Sequence, residues 1–115
     1  MISVGEAFLR VEAALQPLLD TGEFPHVASR QDTDAFGSRF AVYESDRSGL
    51  RLTWDGKEPF FVLESDRLPN ETTAGPWIDL TLQRFDPRKA DDQWVEELCE
   101  DISAALREYM EQWTA

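Results

Sequence analysis

Apolar residues Val4, Phe8, Val11, Leu15 and Leu18 recur at spacings of four and three. That period predicts a helix over residues 4–19 with one buried stripe. Ser3 and Glu6 fit a capping box at its start, the hydroxyl taking one free amide and the carboxylate reaching back to another. Pro17 lacks an amide hydrogen and crowds the preceding turn, so it is expected to kink or end the helix, with Gly22 as a stop. A second stripe, Val95, Leu98, Ile102, Ala105, Leu106, Tyr109 and Trp113, predicts a helix from Asp91 or Asp92 to Trp113. Its acids cluster early and Arg107 lies late, which suits the helix dipole.

Between these helices the period falls to two. Residues 38–44 read as a strand with Phe40 and Val42 on one face and Arg39, Ala41 and Tyr43 on the other. A turn at residues 46–49 leads to a strand over 50–54, where Leu50, Leu52 and Trp54 oppose Arg51 and Thr53. Asp55-Gly56 is a strong hairpin signal, because type I′ turns need positive φ at both central residues. The next strand runs to Glu64. A loop of two or four residues gives the same parity, so Phe61 and Leu63 share a face with Leu50 and Leu52. Pro59 cannot donate to a ladder and belongs near the hairpin end. Residues 66–76 are turn-rich. Ile78, Leu80 and Leu82 then alternate with Asp79, Thr81 and Gln83 in a strand over 77–85.

Residues 20–37 show no clear period. Either 24–30 forms a short edge strand, or the segment is a long functional loop; bare loops of this length are unusual in compact domains, which favours the strand. Only one strand face is strongly apolar, which places both helices on one side. The expectation is an α+β, two-layer fold: a four-stranded antiparallel meander, with a fifth edge strand as an option, and the N- and C-terminal helices packed on one face. Residues 1–115 read as one domain, since a chain of this length buries roughly 65% of its unfolded surface.

Composition narrows the function classes. Hydrophobic residues make up 42% and charged residues 30%, with four Trp and seven Phe, which argues against disorder. The net charge of −12 and a pI near 4.3 oppose binding to nucleic acid or to an anionic membrane. A basic protein partner is compatible with that charge, and so is simple solubility. Residues 86–115 hold nine acids against three bases. A single cysteine, Cys99, excludes an intramolecular disulfide and a cysteine-based zinc site. Glu6, Arg10 and Glu12 interrupt the N-terminal apolar stretch, which is unlike a secretory signal, and no apolar run approaches the ~18–20 residues that span a bilayer. A cytoplasmic protein is expected.

The chain has no nucleophile elbow, P-loop, dinucleotide fingerprint or paired cysteines, so no catalytic, cofactor-binding or metal site is expected. Asp32, Asp34 and Gly37 match the start of an EF-hand loop, but Phe36 and Tyr43 fall where oxygen ligands belong. His26 stands alone and reads as a loop residue. Cys99 lies beside the buried stripe, and Glu96 and Glu100 should raise its pKa. Two surfaces remain as candidates. The open sheet face, expected to carry Arg39, Tyr43, Arg51, Thr53, Phe60, Val62, Trp77, Asp79, Thr81, Gln83 and Phe85, is unusually apolar and reads either as an interface or as a face partly covered by residues 20–37. The acidic helix face, with Gln93, Glu96, Glu97, Glu100, Asp101, Glu108 and Glu111, suits a basic partner or is simply solvated.

In size, acidity and helix–sheet–helix plan the chain is similar to bacterial toxin-immunity proteins, which mask a basic enzyme. It also looks like the acidic chaperones of bacterial secretion systems, although that family's pattern requires a helix between the strands. Both resemblances imply a non-enzymatic module that binds another protein. Self-association as a homodimer is a further option. The alternative is a small-ligand domain or enzyme with a pocket between the sheet and residues 20–37, lined by Trp54, His26 and Tyr43.

Overall fold

The Ser3 hydroxyl accepts the Glu6 amide at 3.0 Å, and this cap opens helix α1, Val4–Thr21. The computed structural model of the chain describes residues 2–31, 37–69, 71 and 73–114. Five strands follow, β1 (His26–Gln31), β2 (Arg39–Glu44), β3 (Gly49–Asp55), β4 (Phe60–Ser65) and β5 (Ile78–Arg84), and helix α2, Asp92–Thr114, ends the fold. The expected α+β plan holds, with the edge strand present, so that the sheet has five strands in the order β1-β2-β3-β4-β5, every pair antiparallel.

Pro17 does not end α1. Its ring faces solvent, the helix continues for one more turn, and the Thr21 hydroxyl donates to the Pro17 carbonyl at 2.9 Å. The stop comes at Glu23, which takes the left-handed conformation (φ 58°) that glycine usually supplies. The Phe24 amide then donates to the Leu19 carbonyl at 2.8 Å, and the Phe24 ring enters the core.

Turn lengths decide which strand face is buried. Glu44 pairs with Gly49 across a four-residue turn, so Tyr43 stands opposite Leu50 and Ala41 opposite Leu52. This parity puts the odd-numbered residues of β2 under the helices, reversing the expected faces of that strand. Asp55 pairs with Phe60 across another four-residue turn. Gly56 has no positive φ there; instead the Asp55 carboxylate accepts the Lys57 amide at 3.0 Å and the Glu58 amide at 3.3 Å, so a side chain closes the turn in place of a type I′ backbone. In β5 the register slips at a bulge: Leu63 pairs with Thr81 but Glu64 with Asp79. Leu80 packs against the core, while Leu82 lies opposite Val62 on the other face.

The core is built on cross-strand rows: Ala41, Leu52 and Leu63 form one, and Tyr43, Leu50 and Ser65 another. Helix residues Val11, Leu15, Val95, Ile102 and Leu106 close over them. At one end Phe8, Trp54, Phe61, Phe85 and Trp94 form a chain of ring contacts with centroids 4.9–6.1 Å apart. Burying a side chain of this size contributes ~1.5–3 kcal/mol.

Helix α1 reaches β2, where the Tyr43 hydroxyl donates to Glu12 and the Arg39 guanidinium lies 5.8 Å from the Phe8 ring. Helix α2 reaches β4 and β5. The Tyr109 hydroxyl sits 2.7 Å from the Ser65 hydroxyl, and the Trp94 ring nitrogen donates to the Arg84 carbonyl at 3.3 Å. Strand β1 lies outside this cover, and all six of its residues are exposed.

An odd number of antiparallel strands makes the two helices run in the same direction. Arg10 of α1 pairs with Asp92 at the start of α2 at 2.9 Å, and Gly22 at the end of α1 lies beside Met110 near the end of α2. The helix dipoles therefore add. Among the described residues no helix is long and apolar enough to cross a membrane.

Candidate functional site: the open sheet face

Alternation sends Phe40 and Val42 of β2, Arg51 and Thr53 of β3, and Phe60, Val62 and Glu64 of β4 away from the helices. Leu82 and Arg84 of β5 join them. The centre of this face is polar but already paired. Glu64, only 8% exposed, accepts two bonds from Arg51, Nε to Oε1 at 3.0 Å and Nη2 to Oε2 at 2.9 Å. The Thr53 hydroxyl adds a third at 2.8 Å. Planar, two-point pairing of this kind is the strong form of an ion pair.

The Arg51 guanidinium is stacked as well as paired. Its central carbon lies 4.5 Å from the Trp77 ring centroid and 5.8 Å from that of Phe40. Trp77 comes from the segment leading into β5, so that segment lays an aromatic ring against the Arg51 guanidinium. Around it stand Val42, Phe60, Val62 and Leu82, the last 49% exposed. A carboxylate that is 8% exposed and already accepts three hydrogen bonds is poorly placed to take a proton from a substrate. The arrangement does not suit proton transfer; it suits a rigid surface with apolar edges.

Of the residues expected on this face, Arg51, Thr53, Phe60 and Val62 lie there, with Asp79 and Trp77 at its edge. Arg39 and Tyr43 do not. The parity of the β2–β3 turn places both on the helix side, Tyr43 3% exposed with its hydroxyl on Glu12. Burial and the Glu12 carboxylate push the Tyr43 phenol well above its ordinary pKa. The β5 bulge likewise moves Thr81 and Gln83 to the helix side, where the Gln83 amide donates to Thr81 at 2.8 Å, and Phe85 is fully buried. Phe40, Val42, Glu64 and Leu82 take their places.

The acidic helix residues Glu96, Glu97, Glu100 and Asp101 are all exposed, as are Gln93, Glu108 and Glu111. Helix α2 covers the opposite side of the sheet, so the two candidate surfaces are separate. Cys99, half-buried on α2, is pushed up in pKa by burial, with Arg10 opposing and Glu100 and Glu96 reinforcing the shift. His26 lies in β1, exposed, its Nε2 2.5 Å from the Ser29 hydroxyl and its ring against Tyr43.

A cavity of about 490 Å³ does open beside the C-terminal turn of α1, lined by residues 21–25 and 44–48 with Met110 and Trp113. None of Trp54, His26 and Tyr43 lines it. Trp54 lies at the far end of the molecule, Tyr43 is buried, and His26 is on the edge strand. Asp32, Asp34 and Phe36 of the EF-hand-like stretch lie outside the described residues, and Tyr43 is committed to the core. Among the described residues no group of three or more metal-ligating side chains gathers. No protein-family model, curated protein or solved structure matches the chain.

Proposed function

We propose that this chain is a non-enzymatic module that binds another protein through its open sheet face. The observation that carries this reading is the Arg51–Glu64–Thr53 cluster, paired and stacked beneath Trp77 and ringed by Phe40, Val42, Phe60, Val62 and Leu82. Such a face buries apolar edges on docking without stranding its own charges, which is the arrangement that gives binding energy at an interface core. A net charge of −12 speeds encounter with a basic partner and discourages self-association. Among the described residues no helix interrupts the strands from β1 to β5, which favours the immunity-protein plan over the secretion-chaperone plan. A cytoplasmic setting suits a chain whose one cysteine is free.

The test uses the purified chain as bait. Leu82→Arg and Phe60→Glu, both on the open face, are expected to abolish capture of the partner. Charge reversal at Glu97 and Asp101 is expected to slow association and to leave the bound complex intact. Capture lost on reversal and kept in the two sheet variants would move the interface to α2. Light scattering at low and high salt is expected to show a monomer; a dimer dispersed by Leu82→Arg would make a second copy the occupant.

A further inference from the structure

At the end of the molecule where both helices begin lies a second cavity, about 430 Å³, walled by Val4, Trp54, Pro59 and Pro87. Lys57, Arg84 and Arg88 line the same cavity, with Asp86 as its one carboxylate. This gathering of cations is out of keeping with the chain as a whole, which has 23 acids to 11 bases. Carboxylates are abundant, yet neither Lys57 nor Arg84 forms a side-chain ion pair or hydrogen bond among the described residues. Arg88 reaches Asp86 only at 3.5 Å. The placement also runs against helix stability. Val4 opens α1, and Pro87 and Arg88 lie just ahead of α2, so the cations stand at the positive ends of two aligned dipoles, where anions are favoured.

Two of the nearby acids are occupied. Asp86 Oδ1 accepts the Arg88 amide at 2.9 Å, and that bond holds the carboxyl below its ordinary pKa. The Asp55 carboxylate accepts the amides of Lys57 and Glu58. Glu58 is exposed on the turn.

We propose that this cavity binds a phosphate-type oxyanion carried on a small apolar body. Two guanidinium groups and an ammonium match the charge and the several acceptor oxygens of a phosphomonoester. The proline, valine and indole surfaces supply the apolar wall that small-ligand sites usually have. This site does not depend on the sheet face binding a protein.

The experiment is a titration of the full chain followed by backbone amide NMR, with inorganic phosphate, phenyl phosphate and sodium chloride at matched ionic strength. Phosphate is expected to give saturable shifts at residues 56–58 and 84–88, absent with chloride. Phenyl phosphate is expected to bind more tightly than phosphate by using the apolar wall. Lys57→Ala with Arg84→Ala should weaken both by about tenfold or more; both side chains are exposed, so the fold is expected to survive, and Lys57→Glu alone gives the same test from the turn. Shifts no different from those of chloride, or a variant that titrates like the parent, would overturn the site. Equal affinity for phosphate and phenyl phosphate would remove the apolar body and with it the proposed ligand class.

Discussion

Arg51 and Glu64 are unequal partners, and the inequality can be measured. The Arg51 side chain is 28% exposed and that of Glu64 10%. Removing the carboxylate leaves a guanidinium that water can reach; removing the guanidinium leaves a buried carboxylate held by Thr53 alone. Stranding the more buried charge costs more. In urea unfolding, Arg51→Ala is therefore expected to lose more stability than Glu64→Ala, each within about 1–3 kcal/mol. The reverse order would mean that water reaches Glu64 freely. Tyr43 makes a pH-dependent counterpart. Its phenol has a raised pKa in the fold against ~10 in the unfolded chain. The unfolded state releases that proton first, so stability is full below pH ~10 and falls as pH climbs above it. Tyr43→Phe is expected to flatten that alkaline loss, read from thermal unfolding between pH 8 and 11; an unchanged slope would assign the loss to other groups.

At the scale of elements, helices, strand order and the one-sided layering were legible because each rests on periodicity over many residues. The faces of β2 and β5 were not, because each hangs on a single local feature. Strand β2 offers two apolar sets, Phe40 with Val42 and Ala41 with Tyr43, so alternation alone cannot choose; the length of the turn at residues 45–48 does. In β5 the run Ile78, Leu80, Leu82 reads as one face, but the bulge divides it. Alternation alone puts Arg51, Thr53, Phe60 and Val62 on the open face, while the buried Glu64 at its centre gives no sign beyond its place opposite Arg51. The turn itself is testable through Gly49. Its amide donates to Asp66 Oδ1 at 2.7 Å, and a Cβ there would lie 2.8 Å from the other carboxylate oxygen. Gly49→Ala is expected to destabilise the fold by roughly 1–3 kcal/mol through this overlap. Strand β1, exposed along its length, should also exchange its amide hydrogens faster than β3 or β4. Equal protection would mean that β1 opens only with the whole sheet.

Across the whole molecule, charge works against the fold more than for it. Glu96 stands four residues from Glu100, and Glu97 four from Asp101, so like charges face each other along α2. Among the described residues, ion pairs that oppose this include Arg10–Asp92, Arg51–Glu64 and the longer Arg88–Asp86. The first and last are partly or wholly exposed and contribute little. The second is shielded by Trp77 and is only weakly sensitive to salt. Salt should therefore screen more repulsion than attraction, and stability is expected to rise between 10 mM and about 150 mM sodium chloride, where the screening length shortens to ~8 Å. Glu100→Lys offers a local version of the same test. A lysine there follows Glu96 by four residues and Glu97 by three, the favourable order for helix pairs, and should stabilise by about 0.2–0.5 kcal/mol per pair. It should also reduce the salt dependence. If instead salt lowers the melting temperature, or Glu100→Lys gains nothing, the acids of α2 are not a repulsive cluster, and the fold draws more from its ion pairs than their geometry indicates.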